Sequence, residues 1–206
     1  MKDRIVTIID YKVGNLGSIE NMLKKIGVSS IITSDIEKIK AANKIILPGV
    51  GAFDSGVGSL KSNGLWDVLN DKVLNDKVPV LGICLGAQLL CETSEEGEQK
   101  GFGWIKAAVK KFNFTDKRLK IPHMGWNYTH LKKDSKLFTD MYDKPKFYFV
   151  HSYYMDVKDD SALTKTIYSN EFDSAVEKNN VLGVQFHPEK SHKFGMKLLE
   201  NFIKYY

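Results

Sequence analysis

The feature that most constrains this chain is the run at residues 78–83, which is apolar throughout and shows no polar alternation. A strand of that kind is buried on both faces, as at the middle of a parallel sheet covered by helices. It leads straight into Cys84, with Gly82 two residues before it and Gly86 two residues after. A sharp turn from strand into helix strains the backbone at a nucleophile and crowds its neighbours, so only glycine fits beside it. A thiol at the start of the following helix also meets free backbone N–H groups and the positive end of the helix dipole, both of which favour thiolate. The plainer alternative is a small buried cysteine near two incidental glycines.

The flanking sequence supplies the layers such a strand needs. Residues 4–9 are β-branched and end in a turn-rich stretch, Asp10, Tyr11, Lys12, Val13, Gly14 and Asn15. Leu16, Ile19, Met22, Leu23 and Ile26 recur at helical spacing, and Gly27 stands where a helix C-cap belongs. Residues 29–33 and 44–47 are further β-rich runs with a short helix fitting 35–40 between them, and Leu60, Leu65, Trp66, Leu69, Val73 and Leu74 suggest helical material. From residue 106 to about 184, segments such as 146–150, 153–157 and 163–168 alternate in the manner of mixed or antiparallel strands. Phe194, Leu198, Leu199, Phe202 and Ile203 lie on one face of a closing helix, read as core packing. The expected fold is α/β with three layers: a mostly parallel central sheet, helices on both faces, and additional antiparallel strands.

A chain of 206 residues, 43% hydrophobic and 27% charged, is expected to form one domain and excludes a disordered, collagen-like or membrane-spanning class. Its net charge of +5 suits an acidic ligand without proving one. The amino-terminal apolar stretch is too brief for a signal-peptide core, and nothing approaches the ~18 residues of a membrane span. Two cysteines without zinc-type pairing, Cys84 and Cys91, point to a reduced, cytoplasmic setting, with Cys91 two helical turns on and reading as core.

A thiolate nucleophile needs a proton shuttle, and His187 stands out among five histidines because Pro188 and Glu189 follow it and an apparent strand, residues 182–186, precedes it. Proline biases the preceding residue to extended geometry, in which residues two apart point the same way, so His187 and Glu189 can face one another. A carboxylate on one ring nitrogen fixes the tautomer and leaves the other to exchange a proton with Cys84. A plain surface loop is the alternative, and a metal site built on His187, Glu189 and His192 lacks further ligands at recognisable spacing. The developing oxyanion needs donors: the Leu85 N–H after the nucleophile is one, and the glycine-rich loop at residues 47–53 offers a second.

With these pieces in order the sequence resembles the class I, triad-type glutamine amidotransferases over nearly its whole length, residues 1–206 forming a single glutaminase domain. The resemblance rests on the loop at 48–51, the elbow at 82–86 with Gln88 one turn on, and His187, Pro188 and Glu189. It implies Cys84 as nucleophile, His187 as general base then acid and Glu189 as its orienting partner. It implies Val50 and Leu85 as oxyanion donors, and Gly49, Gly51, Gln88, His151, Ser152 and Tyr153 around glutamine, with neither cofactor nor metal.

Residues 121–127, which include Pro122, His123, Met124, Gly125, Trp126 and Asn127, look like the signature of the glutaminase subunits of imidazole glycerol phosphate synthases. Asp10, Tyr11, Gly14, Asn15, Leu16 and the stretch Gly101, Phe102, Gly103, Trp104 also match that subfamily. The implied partner is a (β/α)8-barrel cyclase in a heterodimer that makes imidazole glycerol phosphate in histidine biosynthesis, with Tyr11, Lys12, Asn15 and 122–127 at the interface. Lys12 departs from the glycine usual there. A paralogous glutaminase feeding sugar amidation in surface-polysaccharide or flagellin-sugar synthesis is the alternative. A stand-alone thiol hydrolase such as a γ-glutamyl peptidase leaves 121–127 unexplained. A basic nucleic-acid-binding module would rest only on pairs such as Lys110 with Lys111 and Lys132 with Lys133, and no nucleic-acid motif accompanies them.

Overall fold

In the computed structural model, which describes residues 5–114 and 118–206, strand and helix alternate through the first half. They run β1 (Val6–Ile9), α1 (Leu16–Lys25), β2 (Ser30–Thr33), α2 (Ile36–Lys40), β3 (Ile45–Gly49), α3 (Phe53–Ser62), α4 (Leu65–Asn70), β4 (Val80–Cys84) and α5 (Leu85–Leu89). Strands dominate the second half: β5 (Thr93–Ser94), β6 (Ala107–Lys111), β7 (His123–Tyr128), β8 (His130–Leu131), β9 (Lys146–His151), β10 (Tyr153–Val157), β11 (Ala162–Tyr168), β12 (Asn170–Lys178) and β13 (Val181–Val184), before α6 (His192–Tyr205).

The main sheet runs β2-β1-β3-β4-β13-β12-β10-β6-β5, with β11 on β12 and β8 on β11. Its first five strands pair in parallel, whereas β12 runs antiparallel to β13 and to β10. The expected central strand is therefore β4, held between β3 and β13 with every residue buried. Alternate residues feed opposite cores, as the two-residue period of a strand demands. Val80 packs with Ile39, Phe53, Leu65 and Leu89 of α2 to α5 on one face, while Leu81 and Ile83 pack with Ile19, Leu23, Leu198 and Phe202 of α1 and α6 on the other. Three layers follow directly.

One expectation changes in detail. Helical structure begins at Phe53, ahead of the first apolar position read from the sequence, and α3 lies close against α5: a Cβ on Gly56 would lie 3.2 Å from Leu89. The segments at 146–150 and 153–157 do not pair with each other. β9 pairs antiparallel with β7 in a separate two-stranded sheet, and β10 joins the main one. Arg4, the first residue of the expected opening strand, lies outside the described residues. No described helix is long and apolar enough to cross a membrane.

Candidate active site

Parallel pairing of β3, β4 and β13 brings three chain segments to one sheet edge, where open α/β sheets bind ligands. Gly49 sits opposite Cys84, and Ile83 opposite Val184, so the residues just past β13 come abreast of the nucleophile. Cys84 holds φ 53° and ψ −110° at the entry to α5, a sparsely populated backbone for a residue with a side chain. The flanking glycines are required by space. A Cβ on Gly82 would lie 2.7 Å from the Gly86 carbonyl oxygen, and one on Gly86 would fall on the Leu47 carbonyl. Cys91 is fully buried in the core, its thiol pushed far up by burial.

His187 follows β13 and is anchored by a backbone hydrogen bond from its N–H to the Tyr148 carbonyl of β9. Its Nδ1 lies 2.7 Å from Glu189 Oε1, both side chains almost wholly buried. Its Nε2 has no hydrogen-bond partner among the described protein atoms, but the ring interacts with Cys84. Burial opposes the imidazolium, yet the Cys84 sulfur and the Glu189 carboxylate outweigh it and raise the ring to about 9. Sulfur, imidazole and carboxylate are thus arranged for nucleophilic attack with proton transfer.

In front of Cys84 lies a cleft of about 370 Å³ lined by Val50, Gly51, Leu85, Gln88, His151, Ser152 and Tyr153, all singled out from sequence, together with Glu96, Pro122 and Val150. Gly49 does not line it; it packs beneath, where a Cβ would meet Leu85 at 3.1 Å and the Gly86 nitrogen at 3.2 Å. Sequence reasoning passed over Glu96. Asp54 accepts from the N–H groups of Glu98 and Gln99, and Glu96 Oε2 accepts from the Phe53 N–H at the start of α3, which swings the carboxylate to the cleft. These contacts, together with Gln99 Nε2 donating to the Asp54 carbonyl, tie the loop to α3, and no local motif announces them. Gln88 Nε2 donates to the Tyr153 carbonyl and to Gln185 Oε1, both at 3.0 Å, which leaves Gln88 Oε1 for the cleft.

The residues expected to face a partner divide. Met124 and Trp126 are 62% and 42% exposed, and Lys12, Asn15 and Pro122 are exposed too, with Gly125 half-buried beside them. Tyr11 is instead fully buried, its hydroxyl lodged against Gly49, because the chain turns inward before Lys12. His123 is also buried, and Asn127 turns toward it, since alternate residues of β7 face the interior. Lys12 holds φ 66°, a left-handed backbone that glycine adopts freely. The lysine pairs offered for nucleic acid are partly engaged: Lys110 pairs with Glu95 at 2.9 Å, and Lys133 donates to the Asp160 carbonyl at 2.6 Å. Among the described residues no group of three or more His, Cys, Asp or Glu side chains is placed to hold a metal ion.

The sequence profile of class-I glutamine amidotransferases matches residues 7–205. The chain is 57% identical to imidazole glycerol phosphate synthase subunit HisH 2 of Methanococcus maripaludis, across 97% of this chain and 99% of that protein. It is 47% identical to the HisH 2 subunit of Pseudomonas aeruginosa, again across 97% and 99%. In fold it is similar to a chain in the structure of PurLQS from Thermotoga maritima, with a TM-score of 0.73 at 19% identity, covering 98% of this chain and 99% of that one.

Proposed function

The chain belongs to the class I glutamine amidotransferases, and from that premise we propose how its site turns over glutamine. The protein is a glutaminase subunit of imidazole glycerol phosphate synthase: it releases ammonia from glutamine for imidazole glycerol phosphate formation in histidine biosynthesis. The observation that carries the mechanism is the buried Cys84, His187 and Glu189 constellation at the mouth of a glutamine-sized cleft.

Cys84 attacks the side-chain amide carbon of glutamine, the thiol proton having passed to His187 Nε2. The tetrahedral oxyanion sits at the backbone N–H groups of Leu85 and Val50, the first residues beyond β4 and β3. His187 then protonates the leaving nitrogen, ammonia departs and a γ-glutamyl thioester remains. Water, deprotonated by His187, attacks the thioester, glutamate leaves, and the sulfur is free again. Glu189 holds the ring by Nδ1 throughout, so that Nε2 is the nitrogen that moves protons. Recognition of the amino-acid end follows from charge: Glu96 and Gln88 Oε1 accept from the α-ammonium, while the backbone at 151–153 meets the α-carboxylate.

The partner is the cyclase that consumes the ammonia, a (β/α)8 barrel joined in a heterodimer through Met124, Trp126, Lys12 and Asn15, in the cytoplasm. The test is glutamine hydrolysis by the purified chain mixed with the histidine-pathway cyclase and its ribonucleotide substrate. Imidazole glycerol phosphate appearing in step with glutamate supports the reading; glutamate formed without it, or product only with a sugar-pathway barrel subunit, overturns the acceptor assignment.

A further inference from the structure

Amide and imidazole orientations beside the nucleophile are fixed by one group, the Tyr153 carbonyl, which can only accept. Whatever meets it donates, so Gln88 presents Nε2 at 3.0 Å and His151 presents a protonated Nδ1 at 2.7 Å. The second proton of Gln88 Nε2 meets Gln185 at 3.0 Å, which must answer with its carbonyl oxygen. Gln185 Nε2 then faces the Cys84 sulfur at 3.8 Å. On the other side, His151 Nε2 is left as an acceptor and takes the His123 Nδ1 proton at 3.0 Å, and His123 Nε2 accepts from Asn127 at 3.2 Å. Every member has a defined polarity. Gln185 is fully buried, follows directly on β13, whose last residue Val184 lies opposite Ile83, and holds its backbone N–H on the Ser174 carbonyl.

We propose that Gln185 is a further catalytic residue, whose carboxamide N–H donates to the Cys84 sulfur while its carbonyl oxygen locks Gln88 in the orientation glutamine requires. The donor stabilises the thiolate before attack and again when the thioester breaks; hydrogen bonds to a charged partner are the strong ones. No proton leaves Gln185, since the thiol proton passes to His187 Nε2 and on to the departing ammonia. The other titratable groups around Cys84 are His187 and Glu189, two and four residues beyond Gln185 on the same segment, with Tyr11 after β1, His151 on β9, and Glu96 in the cleft wall. This assignment deepens the glutaminase reading and rests on it.

Alkylation of Cys84 by iodoacetamide, followed by peptide mass mapping across pH, tests the donor without needing glutamine. Gln185→Glu has the same shape and keeps an oxygen for Gln88, but sets an acceptor against the sulfur. Gln185→Met removes both polar contacts. Alkylation at neutral pH is expected to slow roughly tenfold in Gln185→Glu and several-fold in Gln185→Met, with the profile moved to higher pH. With the cyclase present, kcat falls in both variants and KM for glutamine rises chiefly in Gln185→Met. A folded variant that alkylates with the unsubstituted profile overturns the proposal. On the unsubstituted chain, the side-chain amide resonance of Gln185 is expected to move on Cys84→Ala, and a fixed resonance is equally adverse. Failure of the unsubstituted chain to hydrolyse glutamine would remove the glutaminase reading and leave the alkylation result to be judged separately.

Discussion

Cys84 sits at φ 53° because the chain must leave a buried strand and enter a helix within one residue. Comparing two variants that both lack the thiol isolates that backbone strain: Cys84→Gly should be more stable than Cys84→Ala by about 1 kcal/mol, measured by urea denaturation, since only the Cβ differs. Gly86→Ala should lose about 1–3 kcal/mol or more, because the obstructing atom is the Leu47 backbone carbonyl and cannot swing away. Glu189→Gln removes the charge that helps hold His187 near 9, and kcat for glutamine should fall on the order of a hundredfold or more in steady-state assays with the cyclase. At this scale the sequence speaks clearly where a residue's neighbours along the chain determine its task, as for Cys84 between its glycines and for His187 with Glu189. It is silent about Glu96 and Gln185, whose tasks come from contacts 43 and 101 residues away along the chain.

Between elements, β7 and β9 carry the most consequence. Their register sets His123 directly opposite His151, and the pair is buried under Phe149 and Phe172. Burial lowers the two rings to about 4 and about 3, so both are neutral in the folded chain where an unfolded histidine, with its ordinary value of 6.5, would protonate. Their contribution is complete above 6.5 and is lost as the pH falls toward 4 and 3. His187, raised to about 9, runs the other way: its contribution is complete below 6.5 and lost as the pH climbs through 9. Urea midpoints across pH should therefore show a shallower acid limb in His123→Gln and a shallower alkaline limb in His187→Asn. The alternating pattern revealed β9 and β10 as strands. Which sheet each joins was not legible, because a two-residue period states that a strand has two faces and leaves its neighbour unspecified.

For the molecule as a whole, β1 to β4 are legible in β-rich and buried apolar runs with helical spacings between them, whereas β13 is legible only as a strand within a stretch that reads as mixed or antiparallel; it pairs in parallel with β4, and the site lies at the shared edge. The outward face of β7 continues from that site to the surface through Met124 and Trp126, with Trp126 stacked on His192 at 5.4 Å. Large apolar and aromatic groups of this kind anchor interfaces, so Trp126→Ala should weaken cyclase binding roughly tenfold or more in titration calorimetry. If Cys84 carries the γ-glutamyl group as a thioester after ammonia leaves, acid-quenched mass spectrometry of the chain turning over glutamine beside the cyclase detects it most directly. A γ-glutamyl adduct confined to the Cys84 peptide, absent in Cys84→Ala and retained in Cys91→Ala, is the expected result. Undiminished glutamine hydrolysis by Cys84→Ala, or an adduct on any other residue, would contradict it.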